Sequence, residues 1–160
     1  MKLKTLCLTI GLAISSLSFA HGDQHSKAMT QQMPAQQEDW GIGGNKNEVT
    51  RTITIAMSDD MKFNPNKIDI KQGETIRFVI KNNGKLMHEM VIGTKPVLDK
   101  HAEMMLKHPN MEHDEPYMTH VPPKKSGEIV WKFNRPGNFE FACLIAGHYQ
   151  AGMVGKIEVK

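Results

Sequence analysis

The chain has almost no cysteine: two in 160 residues, Cys7 and Cys143. That excludes a disulfide-stapled scaffold and a zinc site built on paired cysteines. Aromatic side chains are scarce, at 6%. No apolar run reaches the about 20 residues a membrane-spanning helix needs. Charge of one sign is missing too, with 20 Lys and Arg against 17 Asp and Glu. A nucleic-acid partner needs a clustered basic face, and the sequence offers none. It also has no Gly-rich phosphate loop and no evident Ser/His/Asp arrangement.

What is present begins with a leader pattern. Lys2 and Lys4 precede an apolar run from Leu6 to Leu17, and Ser18-Phe19-Ala20 supplies small residues for a signal peptidase. Residues 1–20 are therefore predicted to be a secretory signal, with an uncleaved anchor as the plain alternative. After cleavage no stable membrane insertion is expected, and the protein would be a soluble periplasmic one. Removing Lys2 and Lys4 and no acid turns 20 basic and 17 acidic residues into 18 and 17. It also removes Cys7 and leaves Cys143 alone. An unpaired cysteine in an exported protein is an inert thiol, an intermolecular partner or a metal ligand. All eight histidines and eleven of the twelve methionines follow residue 20, which favours the metal.

Residues 21–48 are polar, rich in Gln, Gly, Asn and Lys, and read as a flexible tail with too little apolar surface to fold. Trp40 is the exception and is expected to dock on the domain. From Val49 the period becomes two. Val49, Arg51, Ile53, Ile55 and Met57 alternate with Thr50, Thr52 and Thr54. Ile76, Phe78 and Ile80 form the next clear strand face, then Ile129, Trp131 and Phe133, then Phe139, Phe141 and Cys143, and finally Ile157 and Val159. Asn82-Asn83-Gly84 and Arg135-Pro136-Gly137 mark turns. Seven or so short strands with polar turns predict an all-β sandwich over 49–160. One stretch, 94–123, breaks the pattern as a long insertion rich in Met and His. Pro96 to Lys107 is read as a short helix within it, stopped by Pro109.

The strongest signal lies in Cys143-Leu-Ile-Ala-Gly-His148-Tyr-Gln-Ala-Gly-Met153. Spacings of five and five do not fit one helical face, and Gly147 and Gly152 argue against a helix. They fit a loop between two strands that wraps three side chains round one ion. A fourth ligand from a neighbouring strand would be His88, where a strand resumes after the Asn83-Gly84 turn. A soft thiolate, two imidazoles and a weak axial thioether are the donor set of a type 1 copper site.

On these residues the chain resembles the cupredoxin family, over about Val49 to Lys160. Gln150-Ala-Gly-Met153-Val-Gly-Lys156 is similar to the corresponding loop and last strand of plastocyanins. The resemblance implies a Greek-key β-sandwich, one copper ion on His88, Cys143, His148 and Met153, and one-electron transfer. Two departures stand out. Plastocyanins have a shorter gap between cysteine and histidine, and azurins a shorter gap between histidine and methionine. Many cupredoxins also carry Asn just after the first histidine, where its side chain braces the site; here that residue is Glu89.

The remaining histidines and methionines form two groups. His101, Met104, Met105, His108, Met111, His113, Met118 and His120 fall in the insertion. On a helix His101, Met104, Met105 and His108 would share a face. Thioethers prefer cuprous ion and imidazole accepts either state, so a secondary, exchangeable copper surface is expected there; the plain alternative is a loop whose methionines cover the sandwich. His21, His25, Met29 and Met33 recur every four residues in the tail, and an amino-terminal His21 would chelate cupric ion. The insertion is similar to that of bacterial envelope cupredoxins of copper tolerance. The function expected is periplasmic copper handling, with copper ions and a redox protein as partners. The alternative is a dedicated electron shuttle between respiratory proteins. An enzyme with further copper centres is not expected from one domain.

Overall fold

A computed structural model describes residues 36–109, 111 and 113–160. The leader at 1–20 and the tail residues His21 and His25 lie outside them. The strands are β1 Gln37–Glu38, β2 Gly41–Gly43, β3 Arg51–Ser58, β4 Lys62–Asn64, β5 Lys67–Ile70, β6 Thr75–Asn82, β7 His88–Gly93, β8 Met118–Val121, β9 Ser126–Lys132, β10 Gly137–Ala142 and β11 Val154–Val159. Among the described residues one α-helix, α1, spans Lys95–Lys107.

The strands make two sheets, one in the order β1-β2-β9-β6-β3-β4 and the other β5-β11-β10-β7-β8. β3 pairs with β6, and β5 with β11, in parallel; the other pairs are antiparallel. The chain changes sheet repeatedly, from β4 to β5, β5 to β6, β6 to β7 and β8 to β9, as the expected Greek-key sandwich requires. The alternation read from the sequence places the inner faces correctly. Ile76, Phe78 and Ile80 of β6, Ile129 and Trp131 of β9, Phe139 and Phe141 of β10, and Ile157 and Val159 of β11 are all buried in one core. Arg77 and Lys81 stay outside.

β7 departs from that rule, because all six of its residues are buried. Its outer face is covered by α1. Leu98, Ala102 and Met105 of the helix pack with Val91, Met118, Ala142 and Leu144 in a second, smaller core. Spacings of four and three put those three residues on one stripe. The helix thus turns Met105 inward while Met104 and His108 are exposed. His101, Met104 and Met105 share one side of α1, as their spacing requires, but the apolar stripe sets the helix's rotation so that this side runs from buried Met105 to exposed Met104.

The sandwich also starts earlier than residue 49. Within the expected flexible tail, β2 pairs with β9 through Ile42↔Lys132 and Gly43↔Trp131. The Gly44 N–H adds a bond to the Val130 carbonyl at 2.9 Å. Trp40 explains this. Its side chain is only 3% exposed, and its ring meets Tyr117 edge-on at 5.2 Å. Its carbonyl accepts the Trp131 Nε1–H at 3.0 Å. One buried indole and a few ladder bonds outweigh a polar local composition. Trp40→Ala should therefore destabilise the domain by about 3–5 kcal/mol, the usual cost of truncating a core aromatic. Chemical denaturation would check this; an unchanged midpoint would show the segment to be only loosely attached.

Candidate metal centre

β7 and β10 are neighbours, with Phe141↔Ile92 and Ala142↔Val91 in register. This brings the start of β7 and the end of β10 to the same end of the sandwich. His88 opens the one and Cys143 follows the other. The chain then makes a compact loop before β11. The His148 N–H donates to the Ile145 carbonyl at 2.9 Å, and the Gly152 N–H to Tyr149 at 2.9 Å. Gly147 and Gly152 take φ of 92° and 88°, a left-handed conformation that favours glycine. The loop closes where the Cys143 N–H donates to the Met153 carbonyl at 3.1 Å and the Met153 N–H to the His148 carbonyl at 3.1 Å.

The result gathers donors from far apart in the chain. One ligand atom each from His88, Cys143 and His148 lies within 4.8 Å of the others. Cys143 Sγ is 3.2 Å from His148 Nδ1 and 4.0 Å from His88 Nδ1. Bonds of about 2.0–2.3 Å to a first-row ion set trigonal donors on the order of 3.7 Å apart, so these separations suit one ion among them. Cys143, His88 and Met153 are completely buried. His148 is half-buried and gives the cluster its edge towards solvent.

Three residues hold this geometry in place, none of them predicted as part of the site. Asn82 donates to the carbonyls of Leu86 and Val121 at 2.8 and 2.9 Å, and its Oδ1 accepts the Gly84 N–H at 2.8 Å. Asp59 accepts the backbone N–H groups of Lys85 and Leu86 and lies 3.2 Å from His88 Nε2. A carboxylate on Nε2 fixes the tautomer that leaves the Nδ1 lone pair free for a metal. The Lys85 N–H, more than any other group, holds the Asp59 carboxyl below its usual range. Glu89 is the third. Its N–H approaches Cys143 Sγ at 3.4 Å, and its Oε1 accepts the Leu144 N–H at 2.8 Å. Its Oε2 meets His120 Nε2 at 2.8 Å. Glu89 therefore does tie the ligand loop to β7, although it is not the Asn of many cupredoxins. Burial raises its pKa, opposed by His120 and the Leu144 N–H.

Burial also pushes the Cys143 thiol up to about 12, so without a metal the sulfur keeps its proton. His148 is held below its ordinary range, by burial first and then by His88. A buried thiol facing two imidazole nitrogens through Nδ1 matches the soft, mixed donor set of copper.

The sequence profile described as copper binding proteins, plastocyanin/azurin family, matches residues 48–160. The chain belongs to that family. It is 44% identical over 140 residues to the copper-resistant cuproprotein CopI of Rubrivivax gelatinosus, covering 88% of this chain and 83% of the relative. It is 34% identical to the CopI of Vibrio cholerae serotype O1, covering 98% and 99%. Among solved structures, the reduced auracyanin of Roseiflexus castenholzii superposes with a TM-score of 0.61 at 24% identity, over 70% of this chain and 98% of that one. Auracyanin B gives 0.61 at 16% identity, over 78% and 96%. At those identities the likeness concerns the cupredoxin fold alone.

Around this cupredoxin core the other predicted copper residues separate. Met118 is buried beneath α1 in the smaller core. Met104 and His108 are exposed. His101 and His113 stack with ring centroids 4.7 Å apart, and His120 is engaged with Glu89. Met105, Met111, His113 and His120 border one cleft, together with Met87 and Ile145.

The thiolate is the reactive form of cysteine. Native, metal-free protein should therefore be alkylated by iodoacetamide at least about a hundredfold more slowly than unfolded protein near neutral pH. Mass spectrometry of the Cys143 peptide would measure this. Equal rates would mean that the sulfur is neither buried nor protonated as described.

Proposed function

We propose that this protein is an exported copper-tolerance cupredoxin that binds one type 1 copper ion. His88, Cys143, His148 and the Met153 thioether would hold the ion. The observation that carries this reading is the position of Cys143 Sγ beside two imidazole Nδ1 atoms, with His88, Cys143 and Met153 fully buried and His148 half-buried. When bound, copper would supply one-electron redox chemistry there.

The chain's own residues do the rest. The bonds of Asp59 to the turn before β7 orient His88. Glu89 and the Cys143–Met153 backbone pair fix the loop, so that few ligand atoms need to move between oxidation states. Burial of Cys143 and Met153 keeps water away. The reading of a role in copper tolerance is supported by the relatives' names and by the His and Met residues gathered beside the centre. Export is supported by the leader pattern at 1–20. No helix among the described residues is long and apolar enough to cross a membrane. The protein is read as a binding and redox protein rather than an enzyme.

A respiratory electron shuttle is the second reading. It is favoured by the half-exposed His148 and by Leu86 and Met87, 48% and 42% exposed just before His88, which offer a partner an apolar landing surface.

Copper-loaded protein should show a strong thiolate-to-copper band in the blue or green, and Cys143→Ala should abolish it. Under the tolerance reading the same variant should also impair growth on copper; a strain lacking the band yet growing normally would favour the shuttle. Affinity should depend on pH in a definite direction. Because the thiol is pushed up to about 12, the ion must displace its proton. The apparent copper affinity should then rise about tenfold per pH unit from about pH 6 to about pH 8. His148, held low by burial, adds little to that slope. A flat profile in competition titrations would rule out thiolate ligation.

A further inference from the structure

Where the end of α1 meets the segment leading into β8, imidazole nitrogens are buried without a partner among the described residues. His101 Nε2 and both ring nitrogens of His113 are shielded from solvent and have no hydrogen-bond partner among those residues. The two rings lie 4.7 Å apart and tilted by 44°. Buried polar atoms are nearly always satisfied, and a cluster of exceptions points to a missing ligand. Burial, then His113 and His120, hold His101 below its ordinary pKa. Its ring is therefore neutral near pH 7 and carries a free lone pair.

Two thioethers border the same cleft as His113. Met105 follows His101 by one turn of α1 and lines a cleft of about 440 Å³ that His113 also lines. Met111 borders the same cleft and is 37% exposed, which packing does not account for. Asp114 at the rim adds a charge that favours a cation. No thiolate takes part. Imidazoles with thioethers form a soft donor set, better suited to monovalent copper than to zinc or magnesium.

We propose that His101 and His113, with the thioethers of Met105 and Met111, form a second, cuprous copper site beside the type 1 centre. Its geometry is independent of that centre, while its place in copper tolerance rests on the function proposed above. The site narrows the eight insertion residues to four. Met104 and His108 are exposed and neither lines the cleft, whereas His101 stacks on His113; Met118, unlike Met105, does not border the cleft; and His120 is committed to Glu89.

The test uses the full-length protein with Cys143→Ser, which disables the type 1 centre. Anaerobic cuprous ion would be titrated against a chromophoric cuprous chelator. Silver(I), a redox-silent stand-in, would be followed by NMR of the imidazole resonances. One equivalent should be retained, and silver should shift the His101 and His113 rings. His101→Ala and His113→Ala should each weaken binding by at least about tenfold. Met104→Leu and His108→Ala should leave it unchanged. Met111 is exposed, so Met111→Leu removes a thioether without disturbing the core and should also weaken binding. Silver that leaves both rings unshifted, or affinity indifferent to His101, His113 and Met111, would overturn the site. The band of the copper(II)-loaded wild type reports the type 1 centre separately. Its absence alongside normal silver binding would count against that centre only.

Discussion

A sulfur atom buried away from solvent and from compensating charge sets the terms for this molecule. Cys143 is completely buried at the end of β10, and burial pushes its thiol up to about 12. Left alone it would be an inert core residue. The two imidazole nitrogens aimed at it make it something else, because they offer a cation the remaining donors of a compact, soft site. The rest of the structure keeps those nitrogens where they are. A sandwich suits this purpose: β7 and β10 are locked side by side by ladder bonds, so His88 and Cys143 meet although 55 residues separate them.

The supporting contacts act at two levels. Asn82 and Asp59 shape the turn before β7 through backbone bonds, and Asp59 also reaches the far nitrogen of His88. A ring held from behind does not need the metal to orient it. On the other side the loop is closed by the mutual bonds of Cys143, His148 and Met153. Preformed sites of this kind lose little conformational entropy when an ion arrives.

Much of this was legible in the sequence. The inner faces of β6, β9, β10 and β11 follow from period-two alternation, and α1 from its prolines and its length. The cluster of His88, Cys143 and His148 follows from a spacing that only a loop between strands can satisfy. Other parts were not legible, for identifiable reasons. Residues 37–48 look like linker because their composition is polar, yet a single indole, Trp40, packs edge-on against Tyr117 while its carbonyl takes the Trp131 Nε1–H. The rotation of α1 was not legible, because histidine and methionine spacing puts those residues on one side without saying which way that side faces; Leu98 and Ala102 decide it. Glu89 was marked only by its position after His88, and Asp59 gave no usable signal, since their roles depend on partners 26 to 55 residues away and such bonds leave no local periodicity.

Glu89 ties these strands of the argument together. An amide at this position could accept from the loop N–H but would present a donor group elsewhere. A carboxylate accepts on both oxygens, and here it does so from two directions. Oε1 takes the Leu144 N–H beside the ligand cysteine, and Oε2 takes His120. His120 is available because β8 pairs with β7 in the register Glu89↔His120. β8 in turn is the strand by which the Met/His-rich insertion rejoins the sandwich. A buried acid is costly unless both oxygens are satisfied, so the departure at position 89 is intelligible only in a chain whose insertion returns a histidine opposite it. The replaced brace and the histidine-bearing insertion are thus one structural adaptation, in which the inner site and the outer cleft share the wall formed by Glu89 and His120.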